Sequence, residues 1–336
     1  GGGLSLDTEA TKLFNSLRKA GLSKSAIDAA WPSWWKEEIA VSPSSRAELR
    51  FALARKLGLA PKALLGERVE FIWKDTARFK HLTTQSAEEQ NILNSFGVAV
   101  GRLLLNASEP GRGIVGIGAK DLRQAILGRY PYVDLRGLLA TCWALGVPVV
   151  QLQVFPLTSK SMHAMVVEAS GRHAILLGRN ASYPAPLAFT LAHEMGHIAE
   201  GHLHGASAII DVEDPTHVID RDEEEKRADA FALTVLTGQE EPDIQTNLTS
   251  FDAPTLAGAV LRASTEYAVE PGTLALCLAY RRGMWPVAMS SLRFIYKSRA
   301  NIGAAVNRIA AQQLDWDAIT SDSAEYLRNL MQIGDA

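Results

Sequence analysis

The chain has 336 residues, of which 47 % are hydrophobic and 21 % charged, with a mean hydropathy of zero. This balance describes an ordinary globular protein and excludes wholesale disorder, collagen-like repeats and coiled coil. The net charge of −3 conceals a division near residue 85: 14 Lys/Arg stand against 9 Asp/Glu before it and 20 against 28 after it, so a basic front end, open to an anionic partner such as nucleic acid, precedes an acidic remainder.

At roughly 100–200 residues per domain the length predicts two or three modules. No apolar run approaches the roughly 20 residues of a membrane helix, so no membrane partner is expected. The opening Gly1-Gly2-Gly3 carries no secretory leader pattern, and the expected location is cytoplasmic. Cys142 and Cys277 both sit in apolar helical contexts and read as core thiols, not as a disulfide or zinc ligands.

Residues 1–85 show helical periodicity and no convincing strand. Asp7 can cap a helix bearing Leu13, Phe14 and Leu17 that ends near Gly21, and Ser25–Ala30 forms the next. Pro32 breaks the pattern, after which Ser33 can cap a helix with Trp34, Trp35 and Ile39. A helix from Pro43 to Leu57 stops at Gly58, and Pro61 opens a short one through Leu65. Trp31, Trp34 and Trp35 read as a core or interface cluster, since no RNA-type aromatic motif accompanies them.

Helical spacing continues through Ala87–Leu105, breaks at Gly111, Gly113, Gly116 and Gly118, and resumes in Lys120–Leu127 and Asp134–Leu145. Strand signals follow at Val147–Phe155, Met162–Glu168 and Ala174–Leu177, around the turn residues Ser170-Gly171, and their spacing predicts an antiparallel meander. From about Pro184 the pattern is helical again. Helices, a small sheet, then helices is an α+β arrangement.

Within the helix that follows, Leu191-Ala192-His193-Glu194-Met195-Gly196-His197 contains His-Glu-x-x-His. One turn apart, His193 and His197 share a face and can direct two imidazole nitrogens at one zinc ion, while Glu194 stands beside the open coordination position as a general base for water. Two histidines and a glutamate on a wet helix face would give the same string. A start at Ser182, Pro184 and Pro186 and a stop at Gly201 keep the motif inside one helix, which favours the site.

A third ligand is needed. The metzincin continuation is absent, because Glu200 and Leu203 stand where its Gly and His would be. His202, His204 and Glu225 remain. Glu225 is preferred over His204, because it begins a helix from about Asp222 to Leu236 in which Asp229 lies one turn on, able to accept the free ring N–H of a ligand histidine. The acidic run 222–225 would equally suit a solvated helix N-terminus. His81, His163, His173 and His217 lack co-ligands and read as surface or satisfied polar groups.

The string Phe189-Thr190-Leu191-Ala192-His193-Glu194-Met195-Gly196-His197, followed by Glu225-x-x-Ala228-Asp229-x-Phe231-Ala232, resembles the ImmA/IrrE family of bacterial zinc metallopeptidases over roughly residues 134–285. That resemblance implies a minimal zincin-like fold, one zinc held by His193, His197 and Glu225, and cleavage of a repressor or antitoxin-like protein in a stress or mobile-element response. Residues 7–66 resemble an XRE-type helix-turn-helix module, chiefly through Leu53-Ala54-Arg55-Lys56-Leu57-Gly58-Leu59-Ala60-Pro61. The module departs from that pattern in holding Pro32, Trp34, Trp35, Glu37 and Glu38 where base-reading side chains belong, which leaves DNA and protein both open as its partner.

The expected organisation is therefore a helical module over 1–85, a zincin-like domain over 86–285 and a helical tail over 286–336 that caps the core or supports a homodimer. The leading expectation is a zinc-dependent endopeptidase, with Glu194 as general base, His193, His197 and Glu225 on the metal and Asp229 behind a histidine. The alternatives are a DNA-binding regulator with a non-catalytic zinc domain and a toxin–antitoxin-type interaction module. A substrate chain is expected to add as a strand along Ala174–Asn180, and residues 206–221 to form a flap or surface loop over the cleft.

Overall fold

The computed structural model describes residues 9–36, 42–60, 77–80, 87–158, 162–211, 222–243 and 252–334, with only the backbone of 77–80. Among them are thirteen α-helices and a five-stranded mixed sheet, an α+β architecture. The chain runs α1 (Glu9–Lys19), α2 (Lys24–Ala30), α3 (Pro43–Leu57), β1 (Ala77–Lys80), α4 (Ala87–Asn106), α5 (Ala119–Leu127), α6 (Leu135–Ala144) and β2 (Val149–Gln151). It continues as β3 (Ala164–Ala169), β4 (Arg172–Leu177), α7 (Pro184–Ala199), β5 (Ala208–Asp211), α8 (Glu223–Thr237), α9 (Ala253–Tyr267), α10 (Pro271–Arg282), α11 (Trp285–Ile295), α12 (Ile302–Gln313) and α13 (Ser321–Met331).

Local chemistry sets many of the ends. The Ser23 hydroxyl accepts from the Ala26 N–H to cap α2, Asp134 does the same for Gly137 at α6, and Asp222 for Glu225 at α8. Gly58 ends α3 in the left-handed region at φ 72°, where a side chain would be strained. Residues 33–36 form a turn rather than the start of a helix; Asp7, Ile39 and the expected helix at Pro61 lie outside the described residues.

The sheet order is β1-β5-β3-β4-β2. Three expectations are corrected by it. The sheet is not an antiparallel meander: β3 pairs antiparallel with β4 and β5, but β2 runs parallel to β4 and β1 parallel to β5. A strand, β1, lies in the stretch read as wholly helical, and a short edge strand carries too little alternation to be read from sequence. The segment expected as a flap begins instead as β5, an interior strand; residues 212–221 lie outside the described residues.

Strand β4 has neighbours on both sides, so the Ala174–Leu177 backbone is already paired and cannot receive a substrate strand. The edge at β2 is closed as well. The Asn307 side chain on α12 accepts from the Gln151 N–H at 2.8 Å and donates to the Gln151 carbonyl at 2.8 Å, taking the place of a further strand.

Alternate side chains divide two apolar layers across the sheet. Met165, Val167, Leu176 and Ile210 face α4 through Phe96, Val100 and Leu104, in a cluster that also takes in Leu13 of α1 and Leu330 of α13. Ala164, Val166, Ile175 and Ile209 face Leu138 of α6, Leu191 and Met195 of α7 and Val235 of α8. Both faces are covered, which is why the strands read as continuous apolar runs. Residues 302–331 belong to these layers, with Val306, Ala310 and Leu327 buried in them.

Candidate metal centre

Helix α7 is buried along most of its length, including His193, Glu194 and His197 at 0 % exposure. Gly196 explains how a second helix comes so near. A Cβ at that position would stand 2.9 Å from the Ala228 carbonyl oxygen and 3.1 Å from Phe231 Cβ, so the missing side chain lets α8 lie against α7. Asp222 caps the first turn of α8 and thereby presents Glu225 to the α7 imidazoles.

The expected trio is assembled. Glu225 Oε2 lies 3.0 Å from His193 Nε2, and Glu225 Oε1 2.9 Å from His197 Nε2. Asp229 Oδ1 accepts from His193 Nδ1 at 2.8 Å, which assigns the ring proton to Nδ1 and aims the Nε2 lone pair into the cage. His204 is turned away, its side chain 61 % exposed and its Nε2 3.6 Å from Glu224.

Three contributions were not anticipated from the sequence. Asp211, the last residue of β5, is fully buried with Oδ2 3.9 Å from His193 Nε2 and 4.0 Å from His197 Nε2. His202, weighed only as a ligand, instead meets the back of His197, Nδ1 to Nδ1 at 2.9 Å; with His197 Nε2 presented to the cage, His197 Nδ1 donates to His202. The Tyr280 hydroxyl on α10 donates to Asp229 Oδ2 at 3.1 Å and so braces the residue that braces His193. A signal for Asp211 exists in the string Ala208-Ile209-Ile210-Asp211, where a carboxylate ends an apolar strand on the Ile209 face.

The electrostatics of this cage are unbalanced. Glu194, Asp211 and Glu225 put three carboxyl groups in a volume closed to solvent, and neither oxygen of Glu194 or of Asp211 meets a hydrogen-bond donor. Burial first, then the neighbouring Asp211 and Glu225, hold the Glu194 carboxyl well above the usual carboxylate range. Buried acids without donors are costly unless a cation offsets them. One donor atom each from His193, His197, Asp211 and Glu225 lies within 4.8 Å of the others, and this group can hold a metal ion.

Of the other histidines, His163 is buried with Nε2 3.2 Å from Thr190 Oγ1, one turn before His193, and His173 is buried with Nε2 3.3 Å from Glu168. His81 and His217 lie outside the described residues. Cys142 and Cys277 are buried core thiols; burial pushes the Cys277 thiol up to about 12. No helix among the described residues is long and apolar enough to cross a membrane. No protein-family model, curated protein or solved structure matches this chain, so what bears on its function is the set of side chains that α7, α8 and β5 bring together.

Proposed function

We propose that this protein is a zinc-dependent endopeptidase of zincin-like fold acting on a protein substrate, and that His193, His197 and Glu225 hold the zinc. One observation carries the reading: two imidazole Nε2 atoms and a carboxylate meet at 2.9–3.0 Å inside the core, with a second carboxylate, Glu194, next along the same helix. Imidazole nitrogen and carboxylate oxygen are the donors that zinc takes in two-histidine, one-glutamate sites. When bound, such an ion supplies Lewis acidity, lowering the pKa of water and polarising a carbonyl.

The side chains have separable tasks. Glu194, next to His193 on α7 and buried with it, takes a proton from the attacking water and returns it to the leaving amine. Asp229 and His202 fix the tautomers of His193 and His197 from behind. Tyr280 restrains Asp229.

With the β4 backbone already paired, the substrate route is a cavity of about 490 Å³ beside the N-terminal half of α7. Phe189, Thr190, Tyr280 and Met289 line it, and its charged lining residues are Arg179 and Arg299, a setting for an extended, acidic segment. Tyr280 reaches from this lining to Asp229, the residue that holds His193.

For residues 1–85 the ion pairs favour a protein over a DNA partner. Arg50 lies 3.0 Å and Arg46 3.8 Å from Glu9, and Lys56 lies 2.6 Å and Arg55 3.6 Å from Asp322 of α13, so two acids of the chain offset about half of the positive charge on α3 and engage all four of its basic groups. The decisive experiment is a degradation screen of proteins encoded beside this gene, with Glu194→Gln as control and zinc measured by elemental analysis. About one zinc per chain with cleavage lost in the variant supports the assignment, and cleavage that survives Glu194→Gln overturns the general base.

A further inference from the structure

A hydrolytic centre of this kind uses three protein ligands and leaves one position for water, whereas a centre with four protein ligands is closed. Asp211 bears directly on that distinction. It is wholly buried, both of its carboxylate oxygens lack a donor, and its Oδ2 is about equally distant from the two imidazole Nε2 atoms, at 3.9 and 4.0 Å. Two donors bound to one zinc at roughly 2.0–2.1 Å in tetrahedral geometry lie about 3.4 Å apart. The Glu225 contacts at 2.9 and 3.0 Å fall slightly inside that spacing and the Asp211 contacts to the same two imidazoles slightly outside it, with all four donors within 4.8 Å of one another.

The backbone keeps Asp211 there. Its residue pairs with Ala164 in the β3–β5 ladder, and its carbonyl accepts from the His163 N–H at 2.8 Å. With β1 on the other side of β5, this end of the strand is held between two neighbours. Ile209 packs into the apolar layer beneath α7, and the alternation of strand side chains puts Asp211 on that same face.

We propose that Asp211 is a fourth protein ligand that closes the centre, and that the protein is latent until this carboxylate leaves the corner that water must occupy. The inference rests on the metal-centre reading and adds its regulation: a residue of the chain itself competes for the reactive position. No bond to carbon is made or broken; one carboxylate oxygen exchanges for one water oxygen. Glu194, next to His193 on α7 and buried with it, is not among the ligands and stays available as the base when Asp211 is displaced.

The test uses the full-length protein loaded with Co²⁺ or Zn²⁺, comparing wild type with Asp211→Ala and with the near-isosteric Asp211→Asn, and with circular dichroism as the folding control. Azide added to the cobalt protein reports an available coordination position through its visible absorption. Expected are azide binding at least tenfold tighter in Asp211→Ala than in wild type, zinc affinity lower by about ten- to a hundredfold, and an intermediate result for Asp211→Asn. Equal azide uptake by wild type and both folded variants, or unchanged zinc affinity, overturns the proposal. Cleavage is read separately. The predicted azide difference with no hydrolysis by any form upholds Asp211 as the closing ligand and defeats the peptidase reading; equal hydrolysis per bound zinc in wild type and Asp211→Ala defeats latency and leaves the peptidase standing.

Discussion

Two places in this molecule bury charge, and they do it in opposite ways. Where α3 meets α13, Lys56 is 3 % exposed, and its ammonium has an acid at 2.6 Å in Asp322, the Ala30 carbonyl at 3.0 Å and the Tyr326 ring at 5.7 Å. Burial lowers the Lys56 pKa, and the hydrogen bond to Asp322 opposes that shift. Donors and acceptors there are matched. Between α7, α8 and β5, three carboxyl groups and two imidazoles converge with acceptors in excess. A matched buried pair holds elements together, and an unmatched one is a place for something else to bind.

The comparison can be broken most sharply at Glu194. Replacing it by Gln is expected to lower peptide cleavage by about two to four orders of magnitude while zinc content stays near one per chain, measured by elemental analysis beside a turnover assay. The same degree of intrusion at the matched pair should do something different. Asp322→Ala strands Lys56 and is expected to cost about 3 kcal/mol of stability in a denaturant titration with no change in zinc content. If zinc affinity fell as well, the two sites would not be independent.

Gly196→Ala probes the approach that makes the cage. Its methyl would meet the Ala228 carbonyl at 2.9 Å, so α8 must retreat and carry Glu225 with it; about 1–3 kcal/mol of overpacking is expected, with zinc affinity falling alongside stability. A loss of stability with affinity intact would separate the helix contact from the ligand.

The pH dependence has a defined sign. Glu194 is held above its unfolded value, so its protonated form stabilises the metal-free fold, and that stability declines as pH rises from the ordinary carboxylate range through the raised value. For one proton the slope is at most about 1.4 kcal/mol per pH unit. Glu194→Gln should flatten this decline in chelator-treated protein, and added zinc should mask it. The smallest effect is expected from Tyr280→Phe, which removes one hydrogen bond to Asp229 and should weaken zinc binding by less than about tenfold. An effect as large as that of Glu225→Ala would place Tyr280 closer to the metal than its hydroxyl contact indicates.

The legible parts of the fold were those written in consecutive residues. Helix α3 ends at Gly58 as its sequence implies, α7 and α8 occupy nearly the spans that Pro184, Gly201 and Asp222 mark out, and the Ser170-Gly171 turn joins β3 to β4 with both residues at positive φ. Partnership between strands was not legible. Val149, Val150 and Gln151 favour a strand, but whether it lies parallel or antiparallel to its neighbour depends on how α6 and α12 carry the chain around the sheet. Strand β1 is four residues long, and its identity as a strand depends on β5 lying beside it.

The same division runs through the site. His193, Glu194 and His197 were readable because a helix repeats every 3.6 residues, so four positions of sequence determine their common direction. Glu225 and Asp229 were readable as a pair for the same reason, but their distance to the imidazoles is set by the bare Cα of Gly196 against Ala228. Asp211, His202 and Tyr280 belong to three other segments, and no local period relates them to the motif. From sequence alone came the chemistry of two neighbouring turns, since spacing within one helix is a local property. Which carboxylates share that space, and whether water has a corner there, was decided only when β5 and α8 closed on α7, because such contacts depend on packing between segments distant in the chain.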